Sequence, residues 1–146
     1  MIVEGVLKLN EVVDSICVVV RSDQSFATAI IVPDHNNLIR FSEDVVGKQG
    51  FSITQICQDD AVKASLCKRL LDFGLLNGLE KFEIPKKVWL CLDEWTPESG
   101  LVTAAMKLKR KEIGKRYAKE VHHMYTSNDV VKNEMEFLKS SKISPV

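Results

Sequence analysis

Apolar positions along the chain change period several times, and the changes mark the elements. Ile2, Val3, Val6 and Leu7 come at helical spacing, which predicts a short amphipathic helix over 2–9. The run SICVVVR at 15–21 is β-branched and apolar, the signature of a buried strand. A second strand, SFATAIIVP at 25–33, is stopped by Pro33. Only Ser22, Asp23 and Gln24 separate the two, so they pair as an antiparallel hairpin. Asp34 reads as the cap of a weaker helix over about 35–46, closed by Gly47 and Gly50.

A longer helix is predicted over 59–73. Val62, Leu66, Leu70 and Phe73 fall on one stripe, Asp59 and Asp60 suit the N-terminus, and Gly74 and Gly78 loosen the other end. Residues 86–92, KKVWLCL, form a third strand after Pro85. The polar segment TPESG at 96–100 is a turn, and a last helix over about 110–125 carries Ile113, Tyr117, Val121 and Met124 on one side. Beyond Thr126 the chain is polar, a weak helix or a frayed tail. The expected organisation is one folded unit over 1–125 and a polar tail over 126–146. Strands and helices do not alternate strictly. A small three-stranded, partly antiparallel sheet covered by helices, in the α+β class, fits better than a doubly wound parallel sheet.

Composition adds exclusions. A chain of 146 residues, 45% hydrophobic and 27% charged, has the size and make-up of one globular domain. Twenty basic residues balance twenty acidic ones, so no global field recruits nucleic acid or lipid, and electrostatic function must come from local clustering. Cys17, Cys57, Cys67 and Cys91 include no Cys-x-x-Cys pair, and Cys17 and Cys91 sit in apolar runs. They read as core filler in a reducing, intracellular compartment, with no metal site. No apolar run approaches the roughly 20 residues of a membrane span. The start, MIVEGVLKLN, has an early acid and no basic lead-in, so it is not a signal peptide. Its apolar pattern begins at once without a cap, which hints at a chain cut from something longer.

The chemistry concentrates in residues 95–119, WTPESGLVTAAMKLKRKEIGKRYAK. Lys107, Lys109, Arg110, Lys111, Lys115, Arg116 and Lys119 follow one another with only Glu112 among them. A charge run alone is more often a solvated helix face than a site. Lys107, however, follows a turn and the small-residue strip GLVTAAM and precedes the helix. A long cationic side chain at such a junction can reach into another domain's cleft. Other candidates are weaker. His122 and His123 are adjacent and point about 100° apart on a helix, so they do not chelate one metal. His35 reads as a surface residue, Glu98 as a turn acid, and Trp89 as an apolar anchor. The basic run lacks the interleaved aromatics of single-strand binders, which argues against nucleic acid.

Three blocks, EKFEIPKKVWL, WTPESGLVT and MKLKRKEI, resemble the C-terminal domain of long-chain fatty acyl-CoA synthetases, members of the adenylate-forming, AMP-binding superfamily. The stretch VDSICVVVRSDQSFATAIIVP resembles the same family's first hairpin, and the likeness covers roughly residues 3–125. The resemblance implies that Lys107 is the lysine used when fatty acid and ATP give acyl-adenylate and pyrophosphate, before CoA displaces AMP. It also implies ATP, Mg2+ and CoA as ligands of the full-length enzyme, bound mainly by an N-terminal AMP-binding domain that this chain lacks. That domain and the acyl-adenylate are the expected partners, and the isolated chain is expected to be inactive. Lys109, Arg110 and Trp95 are candidate contacts in the CoA or nucleotide vicinity, though Trp95 is an apolar anchor first. Met106 departs from a common aromatic and Ala104 from a common acid. Full-length family members are membrane-associated at the endoplasmic reticulum, mitochondrial outer membrane or peroxisome, while this chain is expected to be soluble. With its partner domain missing, an exposed apolar patch is expected near Trp95, Leu101 and Met106. The alternative reading is a stand-alone module that binds CoA or an anionic membrane through the basic helix 107–119.

Overall fold

The computed structural model describes residues 2–126. The polar tail beyond them lies outside the described residues. Strand β1 (Val13–Val19) and strand β2 (Thr28–Pro33) pair antiparallel, with Cys17 opposite Ile30 and Val19 opposite Thr28. Strand β3 (Lys87–Leu90) lies on the other side of β2 and runs parallel to it, Ile30 opposite Trp89. The sheet is therefore three-stranded and mixed, in the order β1-β2-β3. Strand β1 ends earlier, and β2 begins later, than the runs read from the sequence. Val20 and Arg21 already belong to the connection, which turns at Ser22 and Asp23.

All six residues of β2 are buried, because the strand is central and covered on both faces. Period-two alternation sends Ala29 and Ile31 to one face and Ile30 and Val32 to the other. The first face packs against α1 (Ile2–Leu7), α2 (His35–Phe41), α3 (Ile53–Gln58) and α4 (Asp60–Leu76), through Leu7, Leu38, Ile56, Val62, Leu66 and Leu70. The second is covered by α5 (Arg110–Arg116), α6 (Ala118–Thr126) and the segment between β3 and α5.

The caps follow the sequence. Asp34 accepts a hydrogen bond from the Asn37 backbone N–H at 3.0 Å and starts α2. That helix gives way to a wide π-type turn, Ser42–Val46, closed by Gly47. Asp59 accepts from the Val62 N–H at 3.0 Å and starts α4. The stripe of α4 continues after Leu70 through Gly74, not Phe73, which is half-buried. A Cβ on Gly74 would stand 2.7 Å from Ile84 Cδ1, so the missing side chain is what lets the segment before β3 close against α4. The helix expected over 110–125 breaks once, at Tyr117. Ile113, Tyr117, Val121 and Met124 still share one buried face.

Candidate functional site

The segment from Trp95 to Arg110 is built in three pieces. Trp95 is 3% exposed, and its indole Nε1–H donates to the Tyr117 hydroxyl at 3.1 Å. Thr96 and Ser99 then cap each other: the Ser99 N–H donates to Thr96 Oγ1 at 3.3 Å and the Thr96 N–H to Ser99 Oγ at 3.1 Å. The single helical turn Pro97–Ser99 ends at Gly100, whose φ of 79° reverses the chain. Last comes a tight hairpin, in which Val102 bridges Leu108 antiparallel. The Thr103 N–H donates to the Lys107 carbonyl at 2.8 Å, and the Lys109 N–H to the Leu101 carbonyl at 2.9 Å.

The hairpin is anchored at its base and exposed at its tip. Leu101 and Val102 enter the second core, while Ala104, Ala105, Met106 and Lys107 face solvent. Met106 has φ 63°, the left-handed region, a conformation that costs a non-glycine residue about 1–2 kcal/mol. The Met106 N–H donates to the Thr103 carbonyl at 2.8 Å, and the Lys107 N–H donates to Thr103 Oγ1 at 3.1 Å. Lys107 thus leaves a braced backbone with an exposed side chain. No carboxylate among the described residues pairs with it.

The neighbouring cations are less free than the sequence implied. Arg110, the first residue of α5, grips the carboxylate of Glu4 with both terminal nitrogens, Nη1 at 2.9 Å from Oε2 and Nη2 against Oε1. The same Oε2 accepts the Val18 N–H at 2.6 Å. Glu4 is 7% exposed, so this pair ties α1, β1 and the end of the hairpin together. Arg116 pairs with Asp93 at 3.2 Å and Lys115 with Glu112 at 3.9 Å. Lys109 is exposed. An open cleft of about 390 Å³ lies beside the hairpin, between α1 and β1, and is lined by Glu4, Lys8, Ser15, Met106, Lys107 and Arg110 among others. Lys109 and Trp95 do not line it.

The apolar patch expected near Trp95, Leu101 and Met106 does not form. Trp95 and Leu101 are buried in the second core at 3% and 5%, and Met106 alone is exposed. Residues 95–102 fill the far face of the sheet, which is why their apolar side chains turn inward. The two features that spacing missed are Glu4, paired with a residue 106 positions away, and Lys8, which is remote in sequence from the basic run.

The cysteines are all free thiols. Burial pushes Cys17, Cys67 and Cys91 up to about 11, and Cys57 upward as well, so they stay protonated at neutral pH. Among the described residues, no helix is long and apolar enough to cross a membrane.

Solved structures share the fold. The chain superposes on the adenylation domain of the carboxylate reductase of Mycobacterium chelonae with a TM-score of 0.69 and 24% identity, over 86% of this chain and 17% of that one. It superposes on the A-PCP didomain of a carboxylic acid reductase of Segniliparus rugosus, solved in complex with AMP, with a TM-score of 0.70 and 22% identity, over 98% of this chain and 18% of that one. No family model matches. The fold is that of the C-terminal domain of adenylate-forming enzymes.

Sequence relatives narrow this. The chain is 34% identical over 123 residues to long chain acyl-CoA synthetase 8 of Arabidopsis thaliana, covering 84% of this chain and 17% of that protein. It is 32% identical over 126 residues to long-chain-fatty-acid–CoA ligase 3 of Saccharomyces cerevisiae, covering 86% and 18%. The chain is a homologue of the long-chain acyl-CoA synthetases, and it spans under a fifth of the length of these relatives.

Proposed function

We propose that the chain is the C-terminal lobe of an ATP-dependent long-chain fatty acid–CoA ligase, in which Lys107 supplies the cation for adenylation. The observation that carries this reading is the state of Lys107: exposed, unopposed by a carboxylate among the described residues, and held on a hairpin whose base is buried. Attack of a fatty carboxylate on the α-phosphorus of ATP brings two anions together. An ammonium between carboxylate and phosphate oxygens offsets that repulsion and fixes the approach. Pyrophosphate leaves as the acyl–O–P bond forms. In the second half-reaction the CoA thiolate attacks the acyl carbonyl and AMP departs. Lysine suits a role played in one half-reaction only, because a point charge on a flexible stem can enter and withdraw as the lobe moves.

The partner in this reading is an N-terminal AMP-binding domain that these 146 residues do not contain. Nucleotide, Mg2+ and CoA would be held mainly there. Among the described residues, no three His, Cys, Asp or Glu side chains converge on a metal site. The chain alone would not activate a fatty acid, since nothing in it would hold a fatty carboxylate against the α-phosphate beside Lys107. The reading includes the family's intracellular setting beside a membrane. A stand-alone module that binds CoA or an anionic membrane through the basic helix expected over 107–119 is less favoured, because Arg110, Lys115 and Arg116 are already paired with acids.

The test is Lys107→Ala in the full-length enzyme that carries this lobe. Acyl-adenylate formation, followed as pyrophosphate exchange, should fall by about 10²- to 10³-fold, the usual cost of removing one preorganised charge-stabilising group. Thioester formation from preformed acyl-adenylate should change little. Equal losses in both half-reactions would overturn the assignment.

A further inference from the structure

Lys8 stands in the turn just after α1, 99 positions before Lys107, yet both line the cleft beside the hairpin. Lys8 is exposed and, like Lys107, pairs with no carboxylate among the described residues. The cleft's other charged groups, Glu4 and Arg110, neutralise each other through their two-nitrogen contact. Two lysine charges are therefore left unopposed on one concave surface. The lining also includes Ser15, whose side chain ends in a hydroxyl, where the β1–β2 register shifts between Val13 and Ser15. Register shifts of this kind re-aim side chains next to binding sites. The left-handed Met106 lines the same cleft, a second backbone irregularity there.

Two ammonium groups and a hydroxyl around an open concavity match an anion that bears at least two charges over several oxygens. They match poorly a single carboxylate, for which one lysine suffices, while Ile16, Val102, Met106 and Leu108 supply the apolar part of the lining. We infer that Lys8 is a second phosphate-binding cation, and that it and Lys107 together form a site for the polyphosphate of a nucleotide or for pyrophosphate. This rests on the reading of Lys107 as a cation that faces phosphate. It adds a second contact in the same cleft: Lys107 meets the reacting phosphate and Lys8 meets the charge that leaves. Both contacts are partly exposed, so they are screened by salt.

The experiment uses the whole 146-residue chain and inorganic pyrophosphate as the probe, titrated by NMR at low ionic strength. Amides around Lys8, Ser15 and Lys107 should shift together. Lys8→Gln and Lys107→Gln should each weaken binding by about threefold to tenfold, as expected for exposed charge pairs. Lys111→Gln, on α5 and outside the cleft, should not. Lys8→Arg should restore most of the loss. Acetate should bind no more tightly to the native chain than to the double variant. Loss at Lys107→Gln with none at Lys8→Gln overturns the two-cation site and leaves the Lys107 reading standing. Loss at neither overturns the site, while the two half-reactions of the full-length enzyme still decide the role of Lys107 alone. Equal weakening by Lys111→Gln would reduce the effect to general surface charge and overturn it as well.

Discussion

Ile30 and Ile31 are neighbours in β2 and both are fully buried, yet they enter two interiors of different construction. Below Ile31 the cover is dominated by α4, 17 residues whose stripe of Val62, Leu66 and Leu70 is inaccessible to solvent. Above Ile30 the cover is two helices of 7 and 9 residues, a one-turn helix and a hairpin. Helices that short are marginal by themselves. Specific polar pins hold the second layer down: Trp95 to Tyr117, Glu4 to Arg110, and the Tyr125 hydroxyl donating toward the Val19 and Phe26 carbonyls at 3.1 and 3.0 Å. The first layer is fixed by apolar burial, and the second by burial plus directed contacts. The second is also the layer that presents Lys107. In the function proposed here, the side chain that would reach a foreign phosphate sits on the face where the backbone can be bent, braced and left open.

The sharpest way to break this contrast is a cavity in the first layer. Leu66 is completely buried, and Leu66→Ala should cost about 2–5 kcal/mol of stability in urea unfolding. Because β2 belongs to both layers, amide exchange should quicken on both faces of the sheet. Faster exchange confined to α4 would mean that the layers fold independently, and the comparison would then describe two separate units.

The same contrast governs what could be read from the chain alone. The stripe of α4, its Asp59 cap and the Asp34 cap of α2 were legible because each is a local pattern within a few residues. Helix α3 escaped, although Ser52 and Gln55 form a reciprocal cap that the spacing Ser-x-x-Gln announces. Its buried residues are only Ile56 and Cys57, too few to make a stripe. The parallel placing of β3 was not legible, since strand direction depends on the path of the long connection after β2. In the second layer the hydrophobic face of α5 and α6 was readable through the break at Tyr117. The inward turn of Trp95 and Leu101 was not, because exposure there depends on a sheet face defined by residues 30 and 32. For the site, the position of Lys107 was readable from its loop–helix context and the family resemblance. Its company was not: Glu4 and Lys8 come from the opposite end of the chain, and only the packing of α1 against β1 brings them there.

A smaller effect should follow from loosening the pin nearest the hairpin. Glu4→Gln keeps the side-chain volume but removes the charge from the Arg110 contact and one oxygen acceptor. If the amide oxygen keeps the Val18 N–H and Arg110 Nη1, the amide NH2 faces Arg110 Nη2, donor against donor. The expected loss is about 1–3 kcal/mol, in the range for a buried hydrogen-bonded group that loses a charged partner. Exchange at the Val18 amide and in the 101–110 hairpin should speed up more than exchange in α4. Uniform acceleration across the protein would indicate that the pair contributes global stability and does not position the hairpin.

The smallest effect tests whether the second layer needs its polar pins individually. Tyr117 is 5% exposed, and burial pushes its phenol up to about 12, so the hydroxyl keeps its proton and can accept from the Trp95 indole across the ordinary pH range. Tyr117→Phe preserves the ring and leaves the Trp95 N–H without that acceptor, at an expected cost of about 1 kcal/mol. The indole proton resonance should move upfield and exchange faster with solvent, while the stability of the α4 layer stays within error. A variant as stable as the native protein, with an unshifted indole resonance, would show that packing around Ile113, Val121 and Met124 suffices to hold this face. The second layer would then be built like the first, and the exposed position of Lys107 would need another explanation than a hairpin held by directed contacts.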